Sequence, residues 1–255
     1  MVRKGFPEEY PITLVINGHE LATFQLTKSD LEDWTVGYLY TEGIIQGAED
    51  IDSFRLNEDQ GKIFVDIKGE VDVDAVLTKQ KHFTAGCGKG VTFFSMTDVK
   101  SFPKITSTRT VKLSYLFKKM NEFSKQCVMY AETGGMHGGC IIHEDGSIAV
   151  REDIGRHNAV DKIIGYAVRE GLDPDSLIML TSGRISYEML SKCAKFGISI
   201  IGSRTTPTKQ AVQLANYLNI EIAAYIKGRM ARICTTQNRI IDDVIKKEHE
   251  VKDKK

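Results

Sequence analysis

The sequence predicts an α/β protein in which a smaller, mixed α+β part precedes a larger α/β part. In the second half, short apolar runs alternate with helical patterns, which is typical of parallel strands joined by helices. In the first half, strand-like runs flank turn signals. A proline interrupts the pattern at Ser101–Lys104, so residues 1–104 and 105–255 are expected to form two domains.

The first part is predicted to open with a hairpin and a helix. Residues 12–16 and 21–24 have strand composition, and Asn17-Gly18 between them is typical of a tight hairpin turn. Ser29 and Glu32 have the spacing of a capping box, which predicts a helix that starts there and stops at Gly43. Two further strands are expected at residues 51–56 and 62–67.

In the second part, apolar spacing predicts an amphipathic helix over residues 111–126 and another that starts near Gly155. A glycine-rich loop over residues 132–139 and a hairpin over residues 140–150 separate them. Two strand–loop–helix units follow, and Pro207 is expected in the first turn of the second helix. The strands of this region are expected at residues 177–180, 198–201 and 220–226.

Composition narrows the function classes. Lys+Arg and Asp+Glu both number 34, which disfavours a nucleic acid partner. No apolar run is long enough to span a membrane, and the amino terminus lacks a signal-peptide core, so a cytoplasmic protein is expected. The five cysteines are widely spaced without a CxxC pair, which disfavours both a disulfide framework and a structural metal site.

One cysteine lies in an unusual stretch, HFTAGCGKG at residues 82–90. This glycine density predicts a mobile loop that exposes the Cys87 thiol beside Lys89, a cation that favours the reactive thiolate. The alternative is a flexible hairpin tip with an incidental cysteine. The other four cysteines lie in or beside apolar stretches and are expected to be buried.

Polar loops that follow two of the predicted strands are candidates for an anion site. Ser182, Gly183 and Arg184 follow the first strand, and Ser203 and Arg204 follow the second. Ligands of open parallel sheets gather at the carboxyl ends of strands, and helix amino termini favour anions. Ordinary helix capping would explain the hydroxyls but not both arginines. The chain contains no P-loop motif.

A dense polar cluster at residues 152–162 is a second candidate site. Its His157 and Asp161 would share a helix face, so that a carboxylate could orient the imidazole, and Asn158 lies beside them. The alternative is a solvated helix start capped by Asp153. His137, which glycines flank on both sides, is a further candidate, and a Cys87–His137 hydrolase dyad stays open at this point.

Four motifs together resemble the formate dehydrogenase accessory sulfurtransferases, the FdhD family. They are TGGMHGG, EDIGRHNAVDK, TSGRISYEM and SRTTPTKQA, in the order and spacing of that family. The resemblance implies a cytidine-deaminase-like α/β/α carboxy-terminal domain. It also implies a sulfur carrier that accepts persulfide sulfur from a cysteine desulfurase and passes it to the molybdenum cofactor of formate dehydrogenase, in its bis-guanine-dinucleotide form, without an intrinsic metal. A homodimer is the oligomer that the resemblance suggests.

By position, Cys87 is similar to the family's persulfide-bearing cysteine. The late segment YIKGRM, which comprises Tyr225, Ile226, Lys227, Gly228, Arg229 and Met230, is similar to the one that contacts the cofactor. Two positions depart from the family: Gly90 replaces a second loop cysteine that many members have, and Lys227 replaces an arginine. The zinc signature of true deaminases is absent, so deamination does not follow from the expected fold. Because the second cysteine is missing, the alternative function is a chaperone that binds the cofactor or a guanine nucleotide without sulfur transfer.

Overall fold

The structure is a computed structural model that describes residues 5–69, 102 and 104–244. The chain divides into two compact units, neither of which is continuous in sequence. Unit 1 comprises residues 1–99, 128–139 and 151–172, and unit 2 comprises residues 100–127, 140–150 and 173–255. The division predicted after residue 104 assigned the two later segments of unit 1 to the second domain, so the two divisions differ there.

Helices and strands are numbered here in chain order over the described residues. The strands are β1 (Tyr10–Ile16), β2 (His19–Leu26), β3 (Ile51–Asn57), β4 (Lys62–Ile67), β5 (Val111–Lys112), β6 (His137–Ile142), β7 (Ile148–Asp153), β8 (Ile178–Thr181), β9 (Ile200–Ser203), β10 (Glu221–Lys227), β11 (Met230–Ile233) and β12 (Ile240–Ile241). The α-helices are α1 (Leu31–Glu42), α2 (Leu113–Gln126), α3 (Val128–Thr133), α4 (Arg156–Arg169), α5 (Tyr187–Phe196) and α6 (Lys209–Leu218).

Unit 1 contains a four-stranded sheet with the order β2-β1-β4-β3. β1 pairs with β2 in antiparallel orientation and with β4 in parallel orientation. Asn17 and Gly18 join β1 to β2 with φ angles of 48° and 83°, the left-handed values that a type I′ hairpin turn requires. The predicted hairpin is thus confirmed, as are the predicted strands β3 and β4.

Helices α1 and α4 cross within unit 1 so closely that their backbones touch. A Cβ atom at Gly37 would lie 1.8 Å from the carbonyl oxygen of Asp161, and one at Gly165 would lie 1.8 Å from that of Asp33. Glycine costs about 1 kcal/mol relative to alanine inside a helix. At these two positions it is required, because only a residue without Cβ lets the two helices approach this far.

The predicted capping box of α1 is wrong. The N-cap residue is Asp30, which has a left-handed φ of 51° and makes no side-chain capping bond. Ser29 instead lies 3.4 Å from the Lys162 ammonium, and Glu32 pairs with Arg169 at 3.1 Å. The tertiary contacts of these side chains replaced the local ones that their spacing predicted. The stop at Gly43 is confirmed by its left-handed φ of 80°.

Unit 2 is organised around a six-stranded sheet with the order β11-β10-β9-β8-β6-β7. The outer residues of β6 and β7, 137–139 and 151–153, are assigned to unit 1. The pairs β8–β9 and β9–β10 are parallel, as the strand–helix alternation predicted, and β10–β11 is antiparallel. Leu116 and Phe123 of α2 are fully buried in the same core cluster as Ile142 and Leu180 of this sheet.

Three boundaries predicted for the second half of the chain differ in the structure. The helix predicted from Val111 begins at Leu113, because Val111 and Lys112 pair with β12 in a two-stranded sheet. The predicted loop at 132–139 contains the end of α3 and the start of β6. Pro207 lies before the helix, since Thr208 is the N-cap of α6.

The α/β class of the second half is confirmed, whereas its cytidine-deaminase-like arrangement stays a prediction. Within the described ranges, no helix combines the length and the apolar composition that crossing a bilayer requires.

Candidate functional site

Two six-residue loops in unit 2 have the same construction. The first loop (residues 181–186) follows β8, and the second loop (residues 203–208) follows β9. Each begins with a buried hydroxyl that accepts a hydrogen bond from the amide two residues later, at 3.1 Å from Gly183 N to Thr181 Oγ1 and at 3.0 Å from Thr205 N to Ser203 Oγ. These turns redirect the chain at the carboxyl ends of adjacent parallel strands.

The two loops are also bonded directly to each other. The Ser203 hydroxyl donates to the Gly183 carbonyl at 2.8 Å, and the Arg204 amide donates to the Thr181 carbonyl at 3.2 Å. Ile185 and Pro207 form an isolated parallel bridge. The loops therefore extend the parallel sheet beyond β8 and β9, and each fixes the backbone of the other.

Both loops end in a helix cap, as the capping alternative anticipated. Ser186 accepts from Met189 N at 3.3 Å, and Thr208 accepts from Ala211 N at 3.2 Å. Capping thus accounts for these two hydroxyls. It does not account for Arg184 and Arg204, whose side chains are exposed on the two loops.

The other predicted residues of the loops differ in exposure. Ser203 is fully buried and Gly183 is buried, so these two residues shape the loops, while Ser182 is half-buried. The exposed residues of the two loops are Arg184, Arg204 and Thr205. This composition suits an anion, because guanidinium groups form charge-assisted bonds with phosphate and carboxylate oxygens.

The late segment 225–230 joins the second loop through one hydrogen bond. The amide of Tyr225 donates to the Thr205 carbonyl at 2.9 Å, and the register of β10 against β11 shifts at this point. Tyr225 has a left-handed φ of 55°, an unfavourable conformation for a non-glycine residue that the surrounding bonds must maintain. The bulge therefore ties the end of β10 to the second loop.

Beyond the bulge, the chain turns tightly at Gly228, whose φ is 61°, and Lys227 pairs with Met230 across the turn. Five of the six predicted residues of this segment are exposed, with Tyr225 at 47% and Met230 at 70%. Ile226 is the exception, since it is buried in the core cluster of unit 2. At 1% exposure, Ile226 belongs to the core and not to the surface that a ligand could meet.

The structure thus brings together three of the predicted groups of residues in unit 2. Residues 182–184, 203–204 and 225–230 lie at or just beyond the carboxyl ends of the neighbouring strands β8, β9 and β10, and direct hydrogen bonds join these segments. We call the three segments the loop cluster. Four exposed cations occupy these segments, Arg184, Arg204, Lys227 and Arg229. Open parallel sheets bind ligands at this edge.

Several charged side chains of the polar cluster at residues 152–162 have structural partners in unit 1. Lys162 and Asp153 form a fully buried ion pair at 2.8 Å in unit 1. The Lys162 ammonium also donates to the Thr27 and Glu152 carbonyls at 3.1 and 3.0 Å. Burial lowers the pKa of Lys162, while Asp153 acts in the opposite direction. This pair joins the middle of α4 and the end of β7 to Thr27, the residue that follows β2.

The remaining acidic groups of the cluster also serve the fold. Glu152 accepts from the amides of Met129 and Tyr130 at 2.9 and 2.8 Å, and so caps α3. The Asp161 carboxylate accepts from the Thr41 hydroxyl at 2.8 Å, and its predicted role in orienting His157 stays a prediction. Asn158 Nδ2 donates to the Gln25 carbonyl and to Asp153, each at 2.9 Å.

His137 and His157 are both half-buried in unit 1. His137 is the first residue of β6 rather than a loop residue, and burial lowers the pKa of its imidazole, as does the Arg156 guanidinium. His137 is therefore a neutral imidazole at neutral pH. Neither histidine belongs to the loop cluster of unit 2, so their assignment to a cofactor site stays a prediction.

Cys87 and its loop lie outside the described residues, so the reactive-thiol prediction stays open. Among the other cysteines, Cys127, Cys140 and Cys193 are buried, as predicted. Cys234 is only half-buried, and burial raises the pKa of its thiol. Burial also raises the pKa of Cys140. Neither environment favours a reactive thiolate.

Sequence reasoning missed the Thr205 carbonyl, which joins the second loop to the late segment. The similarity of TSGRIS and SRTTPT does indicate that the two loops share one construction. Each has a hydroxyl residue at its first and sixth positions, which predicts a turn and a helix cap at the same spacing in both loops. The backbone bond to Tyr225 leaves no comparable trace in the side-chain pattern.

Comparisons with known proteins agree with this organisation. The sequence profile of the FdhD/NarQ family matches residues 7–241. The sulfur carrier protein FdhD of Halalkalibacterium halodurans is 34% identical over 235 residues, which cover 91% of this chain and 87% of that protein. That of Listeria innocua is 36% identical over 241 residues, 94% of this chain and 92% of that protein.

A solved structure supports the fold. A Desulfotalea psychrophila protein assigned as a formate dehydrogenase accessory protein superposes with a TM-score of 0.73 at 24% identity, covering 92% of this chain and 90% of that one. The profile match spans nearly the whole described chain, and the relatives align over almost their full lengths. The chain belongs to the FdhD/NarQ family.

Proposed function

We propose that this protein is a sulfur carrier that takes persulfide sulfur from a cysteine desulfurase and delivers it to the molybdenum cofactor of formate dehydrogenase. The observation that carries the proposal is family membership together with the cationic loop cluster of unit 2. Relatives that align over most of their length are named sulfur carrier protein FdhD. The loop cluster supplies the basic, hydrogen-bonding surface that a cofactor with two guanine dinucleotides would need.

In the proposed reaction, the Cys87 thiolate attacks the outer sulfur of the desulfurase persulfide. The S–S bond of that persulfide breaks, the desulfurase thiolate leaves, and Cys87 carries the sulfur as a new persulfide. Arg184, Arg204, Lys227 and Arg229 would hold the phosphates of the bound cofactor, which is the substrate of the second step. Lys89 would stabilise the sulfur anion on Cys87.

Mass spectrometry tests the first step. After incubation with a cysteine desulfurase and cysteine, the wild-type protein should gain one sulfur atom, about 32 Da. Cys87→Ala should gain none, whereas Cys234→Ala should gain the adduct, because burial raises the pKa of the Cys234 thiol. A wild type without the adduct, or an undiminished adduct on Cys87→Ala, would contradict the carrier role.

The alternative function is a cofactor-binding chaperone that transfers no sulfur. It is favoured by Gly90, which stands where many relatives have a second cysteine that could resolve the persulfide. The two functions make opposite predictions in cells that lack the native factor. Restoration of formate dehydrogenase activity by Cys87→Ala would favour the chaperone, and its failure, with wild-type restoration, would favour the carrier.

A further inference from the structure

Unit 2 contains a cleft that is separate from the loop cluster. It has a volume of about 530 Å³, and Ile178, the first residue of β8, lies in its wall, whereas the first loop follows the last residue of β8. The other walls are the segment before α2, one side of α2 and the turn between β6 and β7. We call it the Lys118 cleft. Its lining residues include Arg109, Lys112, Tyr115, Lys118, Lys119, Glu144, Asp145 and Gly146.

Positive charge is concentrated in the Lys118 cleft. Four of its lining residues are cations and two are carboxylates, in a chain whose total charges balance at 34 of each sign. Asp145 accepts from the amide and the hydroxyl of Ser147 at 2.8 and 2.7 Å, and these bonds lower its pKa and keep it ionised, so both carboxylates count against the four cations. The excess of cations favours an anionic ligand.

Two of the cations are held in place by the fold. The Lys119 side chain is only 8% exposed, and its ammonium donates to Glu122 Oε2 at 2.7 Å and to the Gly146 carbonyl. The Arg109 guanidinium donates through Nη1 to the Ser176 carbonyl. Long side chains that are already ordered lose less conformational entropy when they bind a ligand, so these contacts preorganise the cleft.

The turn between β6 and β7 leaves room beside these groups. Gly146 has a φ of 85°, and a Cβ atom there would lie 3.2 Å from the Tyr115 hydroxyl and 3.9 Å from the Lys119 ammonium. A side chain at this position would crowd the wall formed by Tyr115 and Lys119. The amino end of α2 is a separate feature, because the Asp243 carboxylate occupies it by accepting from Ser114 N and Oγ at 2.9 and 2.6 Å.

We propose that the Lys118 cleft binds a small phosphorylated anion. Arg109 and Lys119 would supply the fixed donors, and the exposed Lys112 and Lys118 would close on the ligand from the rim. A diphosphate fits this arrangement better than a singly charged ion, because its charge can engage fixed and mobile cations together. The site would act alongside the loop cluster and does not depend on Cys87.

Calorimetric titration of the full chain with inorganic pyrophosphate at low salt tests this proposal. Lys118→Ala should weaken binding by roughly fivefold or more, since a charge-assisted contact is lost. The matched control is Lys125→Ala, an exposed lysine in the last turn of the same helix that does not line the cleft, and it should change the affinity by less than about twofold. Both lysines are exposed, and alanine favours the helix, so both variants should fold.

A variant of the loop cluster separates the two anion sites. Arg184→Ala/Arg204→Ala should keep the part of the pyrophosphate binding that Lys118→Ala weakens. Absence of binding to the wild type at millimolar pyrophosphate would overturn the proposal. Equal affinities of Lys118→Ala and Lys125→Ala, or loss of all binding in the loop variant, would also overturn it. None of these outcomes bears on the sulfur adduct at Cys87, which is measured independently.

Discussion

At the scale of single residues, the burial of His137 makes the stability of the protein depend on pH. Burial and the Arg156 guanidinium lower its pKa in the folded chain, and Asp153 only partly opposes them. The unfolded chain has the ordinary histidine pKa of about 6.5. Between the folded and the unfolded pKa, the unfolded state therefore binds more protons. Stability must fall as the pH falls through 6.5 toward the folded pKa.

We therefore expect wild type to lose free energy of unfolding between pH 7 and pH 5 more steeply than His137→Gln, which lacks this titration. Urea unfolding at several pH values measures the difference in slope. His19→Gln makes the same substitution at an exposed position in β2 and serves as the control. Identical pH slopes for wild type and His137→Gln would rule out the proposed role of its burial.

The polar cluster at residues 152–162 shows that residue types and their local spacing do not suffice to identify a binding site. Its density of charged groups was visible in the sequence, and it suggested a binding site. The fold instead uses Asp153 and Lys162 as a buried pair, Glu152 as a cap and Asp161 as a partner of Thr41. Thr41 lies 120 positions from Asp161, and Met129 lies 23 positions from Glu152, so the local pattern could not show these partners.

At the scale of elements, the contact between α1 and α4 depends on two glycines. Gly37→Ala should destabilise the protein by about 1–3 kcal/mol, because its Cβ would overlap the Asp161 carbonyl of α4 and force the helices apart. Helix propensity alone would predict a gain of about 1 kcal/mol from the same substitution. The two expectations have opposite signs, and urea unfolding distinguishes them.

Gly5→Ala is the control for this substitution, since nothing lies within 4 Å of a Cβ at Gly5. It should leave the unfolding midpoint nearly unchanged. A Gly37→Ala protein as stable as wild type would show that the two backbones do not approach each other as closely as described.

Element types were more predictable than their ends. The strand–helix alternation predicted the parallel pairs of β8, β9 and β10, and Asn17-Gly18 predicted the first hairpin. The start of α2 moved because Val111 and Lys112 found strand partners in β12. The predicted capping box failed because Ser29 and Glu32 contact α4 residues that lie more than a hundred positions later.

At the scale of the whole molecule, unit 1 draws α4 from the second half of the sequence. A fragment of residues 1–104 should therefore fail to fold by itself, although it would be a complete domain under the predicted boundary. Its α1 would expose the face that packs on α4, and Asp33 would lose Arg151 and Arg169. The free energy lost with these contacts exceeds the few kcal/mol by which small domains are stable.

Circular dichroism during urea unfolding tests this expectation. The full chain should unfold cooperatively, and the 1–104 fragment should show no cooperative transition. A fragment that keeps residues 1–172 supplies all the segments of unit 1 and is the matched comparison. Cooperative unfolding of the 1–104 fragment would restore the simpler two-domain division.

The sequence by itself determined the family, the α/β class and the loops that carry Arg184 and Arg204, because motifs, periodicity and turn chemistry are local properties of the chain. Only the tertiary structure decided that the late segment joins the second loop through Tyr225. It also decided that Glu152, Asp153, Asp161 and Lys162 of the polar cluster have structural partners, and that a second cationic cleft lies at the start of β8. These features depend on pairs of residues distant in sequence, which the chain brings together only when burial and backbone hydrogen bonding are satisfied throughout each unit.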